Sequence, residues 1–83
     1  MDLKNARIEI NKIDKEIVNL LEKRFNIVLE IGRYKNENNI PVYDAEREKF
    51  VVKNCIEHLN NIDFSKQIKD IYEQIMNSSK ELE

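Results

Sequence analysis

At 83 residues the chain makes one domain at most, near the size where a single hydrophobic core gives little stability by itself. An apolar fraction of 41% beside a charged fraction of 36% fits a helical protein rich in surface ion pairs, and a net charge of −2 gives no ground for nucleic-acid or membrane binding. The single cysteine excludes an internal disulfide, and neither an apolar leader nor a membrane-length apolar run is present, so a cytoplasmic protein is expected.

Residues 3 to 35 predict one long helix. Steps of three and four from Leu3 land on Ala6, Ile10, Ile13, Ile17, Leu20, Arg24, Ile27, Ile31 and Tyr34, an a/d seam interrupted only by Arg24. Lys12, Lys15, Glu16, Glu22 and Lys23 fill outward positions with good helix formers. At a 1.5 Å rise the rod is roughly 50 Å long. A compact chain of this size has a radius of gyration of about 12 Å, hence a diameter near ~30 Å. The rod overshoots such a body and leaves apolar seam uncovered. A stripe of that extent marks an interface, and an obligate dimer with paired long helices is expected.

After Lys35 the chain turns polar through Asn36, Glu37, Asn38 and Asn39, and Pro41 pushes Ile40 out of helical space. Asp44 is placed to cap a second helix from Ala45 to about Leu59, with Glu46 and Glu48 in its first turn and Val51, Val52, Cys55, Ile56 and Leu59 facing inward. Asn60 and Asn61 make a turn. Asp63 is expected to cap a third helix whose apolar face carries Phe64, Ile68, Ile71, Tyr72, Ile75, Met76 and Leu82. The predicted architecture over residues 1–83 is all-α: one long helix, a loop and two shorter helices.

The chemistry-bearing residues each admit two readings. Arg24 in the seam needs an anionic partner. Lys35 follows it by about 1100° of rotation, ~20° past three full turns, so both cations project from nearly one face about 16 Å apart. They could bracket a small dianion. Alternatively Arg24 snorkels or pairs with a carboxylate of helix two, and Lys35 is a solvated helix-end lysine. Arg7 lies about 25 Å from Arg24 and about 42 Å from Lys35 along the rod, so no small metabolite touches both ends. In an antiparallel dimer Arg7 could complete a site on its partner; otherwise it is a surface arginine near Glu9. Asp44, Arg47 and Glu48 are either site residues facing those cations or a charged first turn. Ser79 and Glu83 continue the line of Tyr72, Ile75 and Met76 and either close a pocket or belong to a fraying end. Cys55 reads as a small buried hydrophobe and the lone His58 lacks metal-ligand companions. No nucleophile–base pair or glycine-rich phosphate loop occurs. An enzyme here works without metal, nucleotide or covalent intermediate.

Taken in order, Arg7-x-x-Ile10-x-x-Ile13-Asp14, Leu20-Leu21-x-x-Arg24, Ile31-Gly32-x-x-Lys35, Pro41-Val42-x-Asp44-x-x-Arg47-Glu48 and Ile75-Met76-x-x-Ser79 resemble the AroQ-type chorismate mutases from Arg7 to Glu83. The length resembles the short, stand-alone form. The resemblance implies an intertwined all-helical homodimer without cofactors that converts chorismate to prephenate in phenylalanine and tyrosine biosynthesis. It implies that Arg24 and the partner's Arg7 bind the two carboxylates of chorismate, and that Lys35 contacts a carboxylate and the ether oxygen of the breaking C–O bond. Asp44 and Glu48 would hold the ring hydroxyl, Arg47 would line the site and Ser79 would meet a carboxylate.

One position departs from the pattern. Where many members carry a glutamine that donates to the ether oxygen, this chain has Glu83. A glutamate donates only when protonated, and at a reference pKa near 4.3 roughly one in five hundred is neutral at pH 7. Glu83 therefore implies activity that improves in acid, a proton held at the site, or a different role. Two alternatives remain beside the mutase reading. One is an isochorismate pyruvate-lyase on the same fold; the other is a non-catalytic helical dimerisation or regulatory module. Pro41-Val42-Tyr43-Asp44 resembles the mutase more, and an interface alone needs no seam arginine.

Overall fold

The computed structural model describes the whole chain from Met1 to Glu83. It contains α1 (Leu3–Glu37), α2 (Ala45–Glu57) and α3 (Ser65–Leu82), with one 3-10 turn at Ile62–Phe64 leading into α3. The fold is all-α. No helix is long and apolar enough to cross a membrane.

Each helix end follows from a local hydrogen bond. Asp2 caps α1 by accepting from the Lys4 amide at 3.0 Å. At the other end Asn39 takes a left-handed conformation, φ 54°, which asparagine tolerates better than most residues. The Ile40 amide then reaches back to the Lys35 carbonyl at 2.8 Å and closes the helix. Asp44 caps α2 through the Arg47 amide at 3.0 Å, as its position predicts.

Two predicted boundaries shift. Helix α2 stops at Glu57 instead of Leu59 because His58 Nδ1 sits 2.7 Å from the Asn54 carbonyl, the acceptor the next helical bond needs. The His58 and Leu59 amides turn to carbonyls three residues back. Asp63 does not cap α3. Asn61 captures the Asp63 amide at 3.0 Å and starts the 3-10 turn, while the Ser65 hydroxyl donates to the Ile62 carbonyl at 2.6 Å as α3 begins.

Helix α3 packs on both α2 and α1. Its inward line is Ile68, Tyr72, Ile75, Met76 and Ser79, whereas Phe64, Ile71 and Leu82 stay exposed. Helix α1 also meets α3, and its shielded residues Leu21, Phe25, Val28 and Gly32 form a stripe beside the predicted seam. The seam itself is uncovered on the single chain: Leu20 is 63% exposed, Ile10 54% and Ile17 47%. The radius of gyration is 15.7 Å and the longest extent 53 Å, well beyond the ~12 Å expected of a compact chain this size.

Candidate active site

The C-terminal half of α1, the start of α2 and the end of α3 enclose a cleft of about 390 Å³, within the usual range for small-molecule sites. Ile27, Val28, Ile31, Val42, Val51 and Met76 form its apolar wall. The polar lining is Arg24, Lys35, Arg47 and Lys80 against Asp44, Glu48 and Glu83, with Ser79 between them. The larger hollow of about 720 Å³ on the outer side of α2 and α3 is more open and, of the predicted residues, includes only Glu48. The smaller cleft is therefore the candidate, because convergent polar groups outweigh size.

Arg24 is held from α3. Its Nη1 donates to Ser79 Oγ at 2.8 Å, and that hydroxyl donates its own proton to the Ile75 carbonyl at 2.7 Å. Arginine only donates and a carbonyl only accepts, so Ser79 serves here as Arg24's acceptor. No carboxylate of the chain lies within ion-pairing distance of the guanidinium. Tyr72 stands behind it as a neutral phenol. Burial pushes Tyr72 above its ordinary value of 10.0, the Cys55 thiol adds to this, and Arg24 opposes it.

Lys35 ties three segments together. Its Nζ donates to the Val42 carbonyl at 2.9 Å and lies 2.8 Å from Glu83 Oε1. The Glu83 side chain is only 9% exposed, and Oε1 is shut off from solvent with no donor aligned to it, so the contact is a charge pair without hydrogen-bond geometry. Gly32 makes that approach possible. A Cβ added there would stand 2.8 Å from Glu83 Cα and 3.1 Å from its carbonyl oxygen, and backbone atoms cannot swing aside as a flexible side chain does.

The first turn of α2 supplies the opposite wall. Glu48 Oε2 pairs with Lys80 Nζ of α3 at 2.8 Å, not with the cations of α1 as its position suggests. The Lys80 ammonium also lies 5.0 Å from the Tyr43 ring centre, and the Arg47 guanidinium lies 5.4 Å over Phe50.

The sequence matches the family described as chorismate mutase type II over residues 6–83. The chain belongs to that family. It is similar to the chorismate mutase of Methanocaldococcus jannaschii, 33% identical over 85 residues that cover 98% of this chain and 83% of the relative. It is also 52% identical over 52 residues to the bifunctional chorismate mutase/prephenate dehydratase of Buchnera aphidicola subsp. Schizaphis graminum. That match covers 63% of this chain and 14% of the bifunctional protein, so the chain spans only a small part of such relatives. Among solved structures it resembles a conserved hypothetical protein from Pyrococcus furiosus, with a TM-score of 0.79 and 36% identity over 96% of this chain and 92% of the other.

For a type II chorismate mutase fold, the cleft gathers seven of the eight predicted site residues: Arg24, Lys35, Asp44, Arg47, Glu48, Ser79 and Glu83. Arg7 stands apart, exposed on the far part of α1, and the single chain brings it to none of the others. Sequence reading did not single out Lys80 or the close approach at Gly32. Lys80 follows Met76 by one helical turn and so continues the inward face, a signal available from spacing. Nothing in the sequence places the Glu83 backbone over Gly32.

Proposed function

We propose that this cleft rearranges chorismate to prephenate, and that it is completed by Arg7 of a second copy of the chain. The observation that carries the reading is the state of Arg24. A neutral hydroxyl fixes its direction and no carboxylate neutralises it, so its full charge is available to an anion. The reaction is a unimolecular Claisen rearrangement, for which no acid, base or nucleophile is required. The protein has two tasks: to select the compact conformer of a flexible dianion and to place positive charge where negative charge develops on the ether oxygen.

Each residue then has a part. Arg24 and the second copy's Arg7 take the two carboxylates. Lys35 uses one proton on the Val42 carbonyl and one side on Glu83, leaving a third donor for a carboxylate or the ether oxygen. Asp44 and Glu48 accept from the ring hydroxyl, and Arg47 borders the site. Ser79 serves chiefly by aiming Arg24; its hydroxyl donates to a substrate carboxylate only if it releases the Ile75 carbonyl. Glu83 donates to the ether oxygen when protonated.

Charge supports the shared site. Within one chain Arg24, Lys35, Arg47 and Lys80 face Asp44, Glu48 and Glu83, a surplus of one positive charge. A further arginine adds to the positive charge that faces a dicarboxylate. The surface of the single chain supports it too, at 7101 Å² against about 5,200 Å² for a compact monomer of this mass. The excess is of the order that each partner covers in an obligate dimer. The lone Cys55 suits a reducing, cytoplasmic setting.

The test is to supply chorismate to the purified chain between pH ~4.5 and ~8.5 and identify the product. Prephenate, formed faster toward acid, is the expected result. Chorismate untouched at every pH, or isochorismate cleaved in its place, would overturn the reading.

A further inference from the structure

We propose that Lys80 is a positioning residue of this cleft: it fixes the Glu48 carboxylate by one oxygen, so that the other faces the ring hydroxyl of the substrate. The inference deepens the proposed function and rests on it. Lys80 sits in the last turn of α3, beside Ser79, and reaches across to α2. Its Nζ lies 2.8 Å from Glu48 Oε2, with the two side chains 29% and 27% exposed. The pair is thus more shielded than the surface pairs on α3, such as Lys66 with Asp70, at 80% and 56%. A second anchor holds the ammonium in place, the face of Tyr43 at 5.0 Å. One cation therefore joins the end of α3, the first turn of α2 and the loop before it.

This arrangement does something for Glu48 that the residue cannot do alone. A glutamate on the first turn of a helix has several rotamers, and binding a hydroxyl through a mobile carboxylate costs the entropy of ordering it. With Oε2 held on Lys80, that ordering is already done. A carboxylate accepts only and so matches a hydroxyl donor. Lys80 is poorly suited to binding a substrate carboxylate itself, because Glu48 already neutralises it. Arg24, which has no such partner, is the contrast. Because the ring hydroxyl keeps its place through the reaction, this hold acts on ground and transition states alike. It belongs to KM rather than kcat.

The test is a kinetic cycle on the full chain with chorismate as substrate, at a temperature where circular dichroism shows every variant folded. Lys80→Met keeps the apolar stem and removes the charge. It is expected to raise KM about five- to tenfold, the worth of one half-shielded charged contact, with kcat changed less than about twofold. Lys80→Arg restores most of the loss, since guanidinium can both pair with Glu48 and stack on Tyr43. In a Glu48→Gln background Lys80→Met costs nothing further. A full Lys80→Met penalty in that background would mean that Lys80 touches the substrate directly and would overturn the positioning role, as would an unchanged KM in the single variant. If the unaltered chain neither binds nor converts chorismate, the reading of the cleft fails and the inference goes with it. An active unaltered chain with additive losses removes only Lys80's part.

Discussion

Arg24 and Lys35 reach the cleft because three turns of helix separate them, and they serve it differently. Arg24 is aimed by Ser79 and left without a counter-charge, whereas Lys35 is shared with Val42 and Glu83. On the proposed reading Arg24 holds a substrate carboxylate and Lys35 faces the ether oxygen, so Arg24→Ala and Lys35→Ala are each expected to lower kcat/KM by about two to three powers of ten in steady-state assays. Near-normal turnover in either variant would remove it from the site. Glu83→Gln supplies a donor that does not depend on pH. The variant is expected to be more active than the parent at neutral pH and to lose the parent's rise toward acid. Identical pH profiles would take Glu83 off the ether oxygen. Gly32→Ala tests the backbone approach that brings Glu83 to Lys35. An alanine ordinarily strengthens a helix by about 1 kcal/mol over glycine. Here its Cβ would force the end of α3 away, so activity is expected to drop about tenfold or more while helicity by circular dichroism holds. The shared face of Arg24 and Lys35 was legible from helical period alone. The partner of Glu48 and the neighbour of Gly32 were not, since both come from α3 and depend on tertiary packing that no local spacing encodes.

Among the elements, α1 has two jobs on adjacent stripes. Leu21, Phe25, Val28 and Gly32 pack within the chain, while Ile10, Ile13, Ile17 and Leu20 face outward. The seam was readable as an apolar line, but the inner stripe beside it was not, because Gly32 and the polar positions around it blur the period. Caps were read well where one residue had no competitor, as Asp44 shows. They were misread where two did: Asn61 outcompeted Asp63, and the His58 side chain ended α2 early by occupying a backbone acceptor. The outward stripe carries its own prediction. Ile13 is 49% exposed on the single chain and stands about 16 Å along the rod from Arg24. Ile13→Lys would therefore be nearly silent in a monomer. If that stripe pairs with a second copy, the substitution splits the dimer in sedimentation experiments and abolishes activity although it touches no residue of the cleft on its own chain. A dimeric, fully active variant would place the interface elsewhere.

For the whole molecule, an extended body, an uncovered apolar seam and a stranded Arg7 have one explanation in common. On the proposed reading, the chain is one half of a dimer with shared sites. Each cleft has its apolar wall, its aimed arginine and its lysine from one copy, and on that reading Arg7 at the far end of another α1 supplies a further cation for the substrate's carboxylates. The most direct test is complementation between two dead variants. Arg7→Ala and Lys35→Ala proteins are each expected to be inactive as pure preparations. Refolded together in equal amounts, half the dimers contain one of each, and in those one of the two sites recovers every residue. Activity should return to about a quarter of the parent's, per mole of chain. A mixture no more active than its components would contradict a site shared between two copies.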